Sequence, residues 1–301
     1  MRAPTDMQPE RAVVIGCGGV LGIAWCIGLI AGLVREGANV DATDLWIGAS
    51  AGSVVAAKLA CGFAIDELFE EQIDGTAAAK EVFQPYSQSD VDAKNQVLFA
   101  KVRGDLTQAR QRIGAWALRQ NTPSPEARRA IIAARLKNAD WPQPQLRIVS
   151  VNAVDGSTQV WDRQSGVSLI DAVAASCAVP GVWPPVPLLG EHFIDGGLRS
   201  MTNADLAVGA KRVLVISPQG YSDGNPVSGH LRSELQTLQK SGAQVHLIAP
   251  DAASIEAIGR NILDPSRCAQ TAVAALRQGH AECSAVSQFW TNPHEDTIAA
   301  S

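Results

Sequence analysis

From Ala12 to Val34 the chain carries no charged side chain and almost no polar one. Two environments accept such a run: a membrane, or the inside of a well-covered fold. Arg2 and Arg11 precede it, as basic residues precede a signal-anchor. Six glycines interrupt it: Gly16, Gly18, Gly19, Gly22, Gly28 and Gly32. Gly18-xxx-Gly22 and Gly28-xxx-Gly32 also suit helix packing in a membrane, so glycine alone leaves both readings open. The residues that follow favour the buried fold, because a second short strand (Asp44–Ile47), a second glycine-rich turn and a second helix begin at once. Two such units in tandem predict a strand at Arg11–Ile15, a loop at Gly16–Gly22 and a largely buried helix at Ile23–Arg35.

Strand and helix signals keep alternating downstream. Leu146–Val151 and Thr158–Trp161 flank the hairpin signal Asp155-Gly156. A helix is expected at Ser168–Cys177, and the prolines of Val179–Pro187 demand an extended segment. Two more strands, Val213–Ser217 and Val245–Ala249, enclose a helix at Ser228–Gly242, and helices at Ala252–Ile262 and Ser266–Phe289 follow. The alternation implies an α/β fold with a mainly parallel sheet between helical layers. Residues 82–144 read as a helical insertion, with helices at Val91–Arg119 and Glu126–Lys137. It is either a cap over a site or an outer layer on the sheet. The expected domain is 11–292, with loose tails at 1–10 and 293–301.

A net charge of −5 and a pI near 5.6 leave no basic footprint for nucleic acid and none for strong docking to anionic lipid. The six cysteines, Cys17, Cys26, Cys61, Cys177, Cys268 and Cys283, form no CxxC pair and no zinc spacing. They read as small buried hydrophobes in a reducing compartment, which points to the cytoplasm.

Three motifs carry chemistry. Gly48-Ala49-Ser50-Ala51-Gly52 is G-x-S-x-G between a predicted strand and a predicted helix. A sharp turn there needs glycines beside the serine, and it presents the hydroxyl at the carboxyl end of the strand. The plain alternative is a serine that caps the helix. Gly16-Cys17-Gly18-Gly19-Val20-Leu21-Gly22 is the second motif. A dinucleotide fingerprint fails there, because Leu21 stands where the third glycine belongs. A backbone oxyanion site or a plain tight turn both fit. The third motif is Asp195-Gly196-Gly197, a turn aspartate at its simplest. No histidine is well placed beside it in sequence, though a Ser–His–Asp triad through His246 or His280 stays open.

Together these motifs resemble the patatin-like phospholipases. That family combines a glycine-rich oxyanion loop, an early G-x-S-x-G and a later D-G-G/A. The stretch Ala174-Ala175-Ser176-Cys177-Ala178-Val179-Pro180-Gly181-Val182-Trp183-Pro184-Pro185-Val186 also resembles its A-S-x-A-x-P-x-x-F-P-P segment. The resemblance spans roughly Arg11 to Asp205. It implies a three-layer α/β/α sandwich and a Ser–Asp dyad, with Ser50 as nucleophile and Asp195 as base. Gly18, Gly19 and Ala51 would form the oxyanion hole, and Trp183, Val182 and apolar parts of the insertion an acyl pocket. It implies a lipid or ester substrate, peripheral contact with a membrane, and no metal or organic cofactor. Two positions depart from the pattern. Cys17 replaces the first glycine of the loop, and Leu21 replaces its basic residue. A catalytically weak relative, a Rossmann-type nucleotide-binding protein and a non-catalytic interaction protein are the alternatives.

Overall fold

A computed structural model describes residues 9–40 and 42–291. The tail expected at 293–301 lies outside them, as does all of the tail at 1–10 except residues 9 and 10. The chain opens with two strand–helix units: β1 (Arg11–Ile15) with α1 (Gly19–Arg35), and β2 (Leu45–Ala49) with α2 (Ala51–Ala60). Four helices follow: α3 (Ile65–Ile73), α4 (Gln88–Lys101), α5 (Leu106–Ala117) and α6 (Pro125–Arg135). The hairpin β3 (Gln145–Asn152) and β4 (Thr158–Trp161) leads to α7 (Leu169–Ser176), β5 (Val186–Leu188) and β6 (Glu191–Asp195). The chain ends with β7 (Arg212–Ile216), α8 (Leu231–Lys240), β8 (Gln244–Ile248), α9 (Ala252–Ile258) and α10 (Cys268–Thr291).

The strands form one sheet in the order β5-β6-β3-β2-β1-β7-β8, with β4 also paired to β3. β3, β2, β1, β7 and β8 are mutually parallel, and β4, β5 and β6 are joined antiparallel. Alternate residues of each strand face opposite helical layers. Val13, Ile15, Trp46, Ile148 and Leu214 pack with α1, α2, α7 and α10. Ala12, Val14, Leu45, Ile47 and Val213 pack with α8 and the short turn at Ala204–Ala207. This is the three-layer α/β/α sandwich with a mainly parallel sheet.

The uncharged run is now explained. Every residue of α1 from Leu21 to Leu33 is buried, because the helix lies between the sheet and α10. Its glycines permit that contact: a Cβ on Gly28 would stand 2.2 Å from the Ala272 carbonyl oxygen, and one on Gly32 2.3 Å from that of Leu276. The buried Gln278 of α10 accepts from the Trp25 indole (3.3 Å) and the Ser254 hydroxyl (2.9 Å), and donates to the Ala249 carbonyl (2.7 Å). No helix among the described residues is long and apolar enough to cross a membrane.

Three boundaries differ most from expectation. α1 starts at Gly19 rather than Ile23, because the Gly22 N–H already bonds the Gly18 carbonyl (2.8 Å), so half of the expected loop is helix. The helix expected over Val91–Arg119 is broken between α4 and α5, where Arg103 and Gly104 take positive φ (53° and 82°). α9 stops at Ile258 instead of Ile262, at a glycine with φ of 70°.

The packing of α1 on α10 yields a stability prediction. Gly28→Ala should destabilise the protein by about 1–3 kcal/mol, because the added methyl meets backbone that cannot swing aside. Urea unfolding followed by circular dichroism measures this, and an unchanged midpoint would show that the two helices can separate freely.

Candidate active site

β1 and β2 pair in parallel with Ile15 opposite Gly48, so α1 and α2 both start at the same edge of the sheet. The two units pack at backbone contact. A Cβ on Gly52 would stand 1.9 Å from the Ile15 carbonyl oxygen, and one on Gly48 2.6 Å from that of Gly52. Between these glycines the chain turns so sharply that Ser50 adopts φ 50° and ψ −124°. For a residue with a side chain this costs about 1–3 kcal/mol and requires firm support. The Ser50 N–H donates to Ser176 Oγ (2.9 Å), and that hydroxyl donates to the Val149 carbonyl (2.6 Å). The Ser50 carbonyl accepts from Ser53 Oγ (2.6 Å) and Cys177 Sγ (3.2 Å). The Ser50 side chain makes no capping bond to α2, which removes the plain capping reading.

The glycine loop reaches the same edge. The N–H of Cys17 bonds the Met201 carbonyl (2.8 Å) and that of Leu21 the Ile262 carbonyl (3.0 Å). Between them, the N–H groups of Gly18 and Gly19 have no acceptor among the described residues, nor has that of Ala51. They are the first donors of two helices, so dipole and free hydrogens converge beside Ser50. Side chains are excluded here too: a Cβ on Gly18 would stand 2.6 Å from Pro218 Cβ, and Gly19 has φ of 61°. Leu21 is fully buried, so the loop brings no charge to the site. Cys17 is buried against Gly197, where an added Cβ would stand 2.9 Å from its Sγ. Burial, and then Asp195, pushes the Cys17 thiol well up, so it stays neutral.

Asp195 arrives from β6. Its partner in the antiparallel register is Ser150 of β3, while Val149 of β3 pairs with Ala49 of β2. The carboxylate therefore sits at the edge where Ser50 turns, with β3 between. Gly196 is required next, since a Cβ there would stand 2.2 Å from the Val149 carbonyl oxygen. Asp195 is 5% exposed. Oδ1 accepts from the Gly197 N–H (2.8 Å), and Oδ2 has no hydrogen-bond partner among the described residues. Burial raises its pKa to about 6, opposed by the Gly197 N–H, the nearby Ser50 hydroxyl and the charge of Arg128. Ser50 thus stabilises the carboxylate without a fully formed hydrogen bond to it.

Ser50 and Asp195 line a cavity of about 380 Å³. Its apolar walls include Val91 and Leu98 of α4, Ile113 and Trp116 of α5, and Leu263. Gly18, Gly19 and Gly197 line it as well. Of the residues expected in an acyl pocket, Trp183 lines a smaller void of about 30 Å³ that Ser50 also lines, and half-buried Val182 lines neither space. Apolar walls from the insertion are expected, but the sequence singles out none of the α4–α5 residues, although Val91, Asn95 and Leu98 share a helix face. Arg128 of α6 was also missed, and it lines the small void.

No described histidine lines the cavity. His192 is exposed on β6, and His230 Nε2 pairs with the Val227 carbonyl (2.9 Å). His246 stacks on Phe289 with ring centres 5.5 Å apart, and His280 lies 3.9 Å from Glu36. His294 lies outside the described residues.

A three-layer α/β/α sandwich with a strained serine between β2 and α2 and a buried aspartate two strands away defines the class of this molecule. The chain belongs to the patatin-like phospholipase family, whose model matches residues 13–208. No curated protein matches it. Among solved structures it is similar to VipD from Legionella pneumophila, with 14% identity and a TM-score of 0.42, over 91% of this chain and 67% of that one. It is also similar to the type III effector ExoU, with 14% identity and a TM-score of 0.40, over 93% of this chain and 53% of that one. A full-length complex of SpcU with ExoU from Pseudomonas aeruginosa aligns at 16% identity and a TM-score of 0.33, over 90% of this chain and 53% of that one. The chain thus spans about two thirds of the VipD chain and about half of the ExoU chain.

The raised Asp195 pKa predicts a pH-dependent stability. A carboxyl whose folded pKa lies above its unfolded value holds its proton longer when folded, so its charge penalises the fold at high pH. Asp195→Asn should therefore be more stable than the wild type at pH 8, by about 3 kcal/mol. The margin should shrink through pH 6 and vanish near pH 4. Urea titrations at these pH values test it; an equal midpoint for both proteins at pH 8 would mean that the carboxylate is well solvated.

Proposed function

We propose that this chain is a serine-dependent lipid acyl hydrolase that cleaves carboxylic esters through an acyl-enzyme. The observation that carries this reading is the placement of a strained Ser50 and a buried Asp195 on one apolar cavity. Ser50 Oγ attacks the ester carbonyl carbon, and its proton passes to Asp195. The carbonyl oxygen becomes an oxyanion held by the N–H groups of Gly18, Gly19 and Ala51. Collapse breaks the ester bond, and the leaving alcohol takes the proton from Asp195. Water then loses a proton to Asp195 and attacks the acyl carbon, and Ser50 leaves with that proton. Asp195 suits this work because a carboxyl with a pKa of about 6 is a stronger base than an ordinary one and is still ionised at neutral pH. Gly48, Gly52, Gly196 and Gly197 hold the two side chains where these steps need them.

The substrate is read from the cavity. Its size and apolar walls suit an acyl chain. Trp116 lines the cavity and is also 45% exposed, so apolar surface continues to the outside. That supports a lipid substrate taken up in peripheral contact with a membrane. In this reading α4 to α6 act as a cap on a hydrolase domain at 11–292, working in the cytoplasm. The second reading, a catalytically weak relative, rests on one observation, the buried and uncharged Leu21.

Ser50→Ala should abolish both hydrolysis of a short-chain nitrophenyl ester and labelling by a fluorophosphonate, with the circular dichroism spectrum intact. An adduct mapped to another residue in that variant would move the nucleophile elsewhere. Wild-type kcat/KM should rise with pH through about 6, because the base works only when deprotonated. Single alanine replacements of His192, His230, His246 and His280 should keep most of the activity, whereas Asp195→Asn should lose nearly all of it. One folded histidine variant as inactive as Asp195→Asn would replace the dyad with a triad.

A further inference from the structure

Arg128 is 3% exposed, and its Nε and Nη1 have no hydrogen-bond partner among the described residues. No carboxylate forms an ion pair with it there either. Its neighbour Arg135, by contrast, pairs with Glu81. A buried guanidinium that serves only structure is expected to have its donors satisfied, because an unpaired buried charge is costly. Its charge persists: burial, and then Arg135, pushes the Arg128 pKa down only to about 10. The planar group is held by stacking, with Cζ 4.0 Å from the centre of the Trp183 ring.

Its location gives the free donors a purpose. Arg128 lines the void of about 30 Å³, and so do Gly19, Ser50 and Ala51. The start of α1, the start of α2 and the attacking serine therefore face one space that also meets the guanidinium. That space is the size of one water molecule, or of one oxygen of a reacting group. Asp195 lines the large cavity and not this void.

We propose that Arg128 is the charged member of the oxyanion site, donating from Nε or Nη1 to the oxygen that becomes negative when Ser50 attacks. The proposal rests on the acyl-hydrolase reading above and adds a catalytic residue to it. Arg128 keeps its proton throughout and forms no covalent bond. Before attack the negative charge is on Asp195, which does not line the void and has no hydrogen bond from Arg128. After attack Asp195 is protonated and the charge is on the oxygen inside the void. An oxygen in the void can accept a direct charge-assisted bond from Arg128, which Asp195 does not have, so the bond stabilises the transition state more than the ground state. The glycine loop, uncharged from Gly16 to Gly22, supplies no such charge.

The test compares wild type, Ser50→Ala, Arg128→Gln and Arg128→Lys on a short-chain nitrophenyl ester, with kcat and KM separated and folding checked by circular dichroism and thermal melting. Arg128→Gln should lower kcat by about 10²–10³ with little change in KM. Arg128→Lys keeps the charge and should retain kcat within about tenfold of wild type. Activity that survives in Ser50→Ala would sink the hydrolase reading at this site and the proposal with it. Activity lost in Ser50→Ala but undiminished in a folded Arg128→Gln would overturn Arg128 alone. If Arg128→Gln does not fold, Arg128→Lys decides: a folded lysine variant as inactive as Ser50→Ala overturns the proposal, and one within tenfold of wild type upholds it.

Discussion

The site depends on one contact, the first turn of α2 against the end of β1. Only a glycine at 52 allows it, since any Cβ would overlap the Ile15 carbonyl. That contact draws the starts of α1 and α2 together at the middle of the sheet. It also leaves too little room for a relaxed turn, so Ser50 takes a left-handed conformation. The convergence of free N–H groups and the exposure of the serine hydroxyl to a cavity are two results of the same crowding. The strain is a few kcal/mol at most, and it is offset locally by the bonds from Ser176, Ser53 and Cys177 to the Ser50 backbone.

The electrostatics of Asp195 follow from how few donors the fold offers it. A carboxylate that accepts two or three backbone N–H bonds is stabilised as an anion and makes a poor base. Asp195 receives only the Gly197 N–H, and desolvation prevails. Its neighbours preserve this balance. Cys17 and Cys177 are buried thiols whose ionisation is opposed first by burial, so they add volume and polarisability without charge. A histidine is dispensable in the proposed chemistry because the dry setting already brings the carboxyl pKa close to neutral.

Much of this was legible in the sequence, and what was legible is local. The turn at Ser50 needs Gly48 and Gly52 within two residues of it, so the motif and its neighbouring strand and helix announce it. Asp195-Gly196-Gly197 is local in the same way. The segment from Ala174 to Val186 resembled a family stretch, but its use was hidden. Ser176 holds the Ser50 backbone from the end of α7, a contact between residues far apart in the chain. Side chains of the insertion were the least legible. Nothing in the run Ala127-Arg128-Arg129 says which arginine is buried: Arg128 is, while Arg129 pairs with Asp171 at the surface. Of the apolar groups expected around an acyl pocket, those of the insertion line the large cavity through α4 and α5, whereas Trp183 and Val182 do not. The start of α1 was placed too late for a related reason: a glycine reads as loop unless packing forces it into a helix, as Pro218 and Ile262 do around Gly18 and Gly19.

The insertion is bound to the sandwich firmly enough to act as part of the site. Asn95 of α4 donates to Asn225 (3.2 Å), which in turn donates to Asp92 of the same helix (2.8 Å). Arg110 of α5 donates to the carbonyls of Leu198 (3.1 Å) and Arg199 (2.9 Å), just after the Asp195 turn. Gly114 of α5 allows backbone contact with Ala153, where a Cβ would stand 2.0 Å from the carbonyl oxygen. These bonds fix the apolar walls of the cavity relative to Asp195. Arg129 of α6 pairs with Asp171 of α7, the helix that also carries Ser176. The helix that presents Arg128 is thereby tied to the helix that supports the Ser50 turn. The two strand–helix units alone could supply backbone donors and a nucleophile, but no cation and no dry wall. Those come from the inserted helices, so the chemistry proposed for this chain belongs to the joint between the two parts and not to either one.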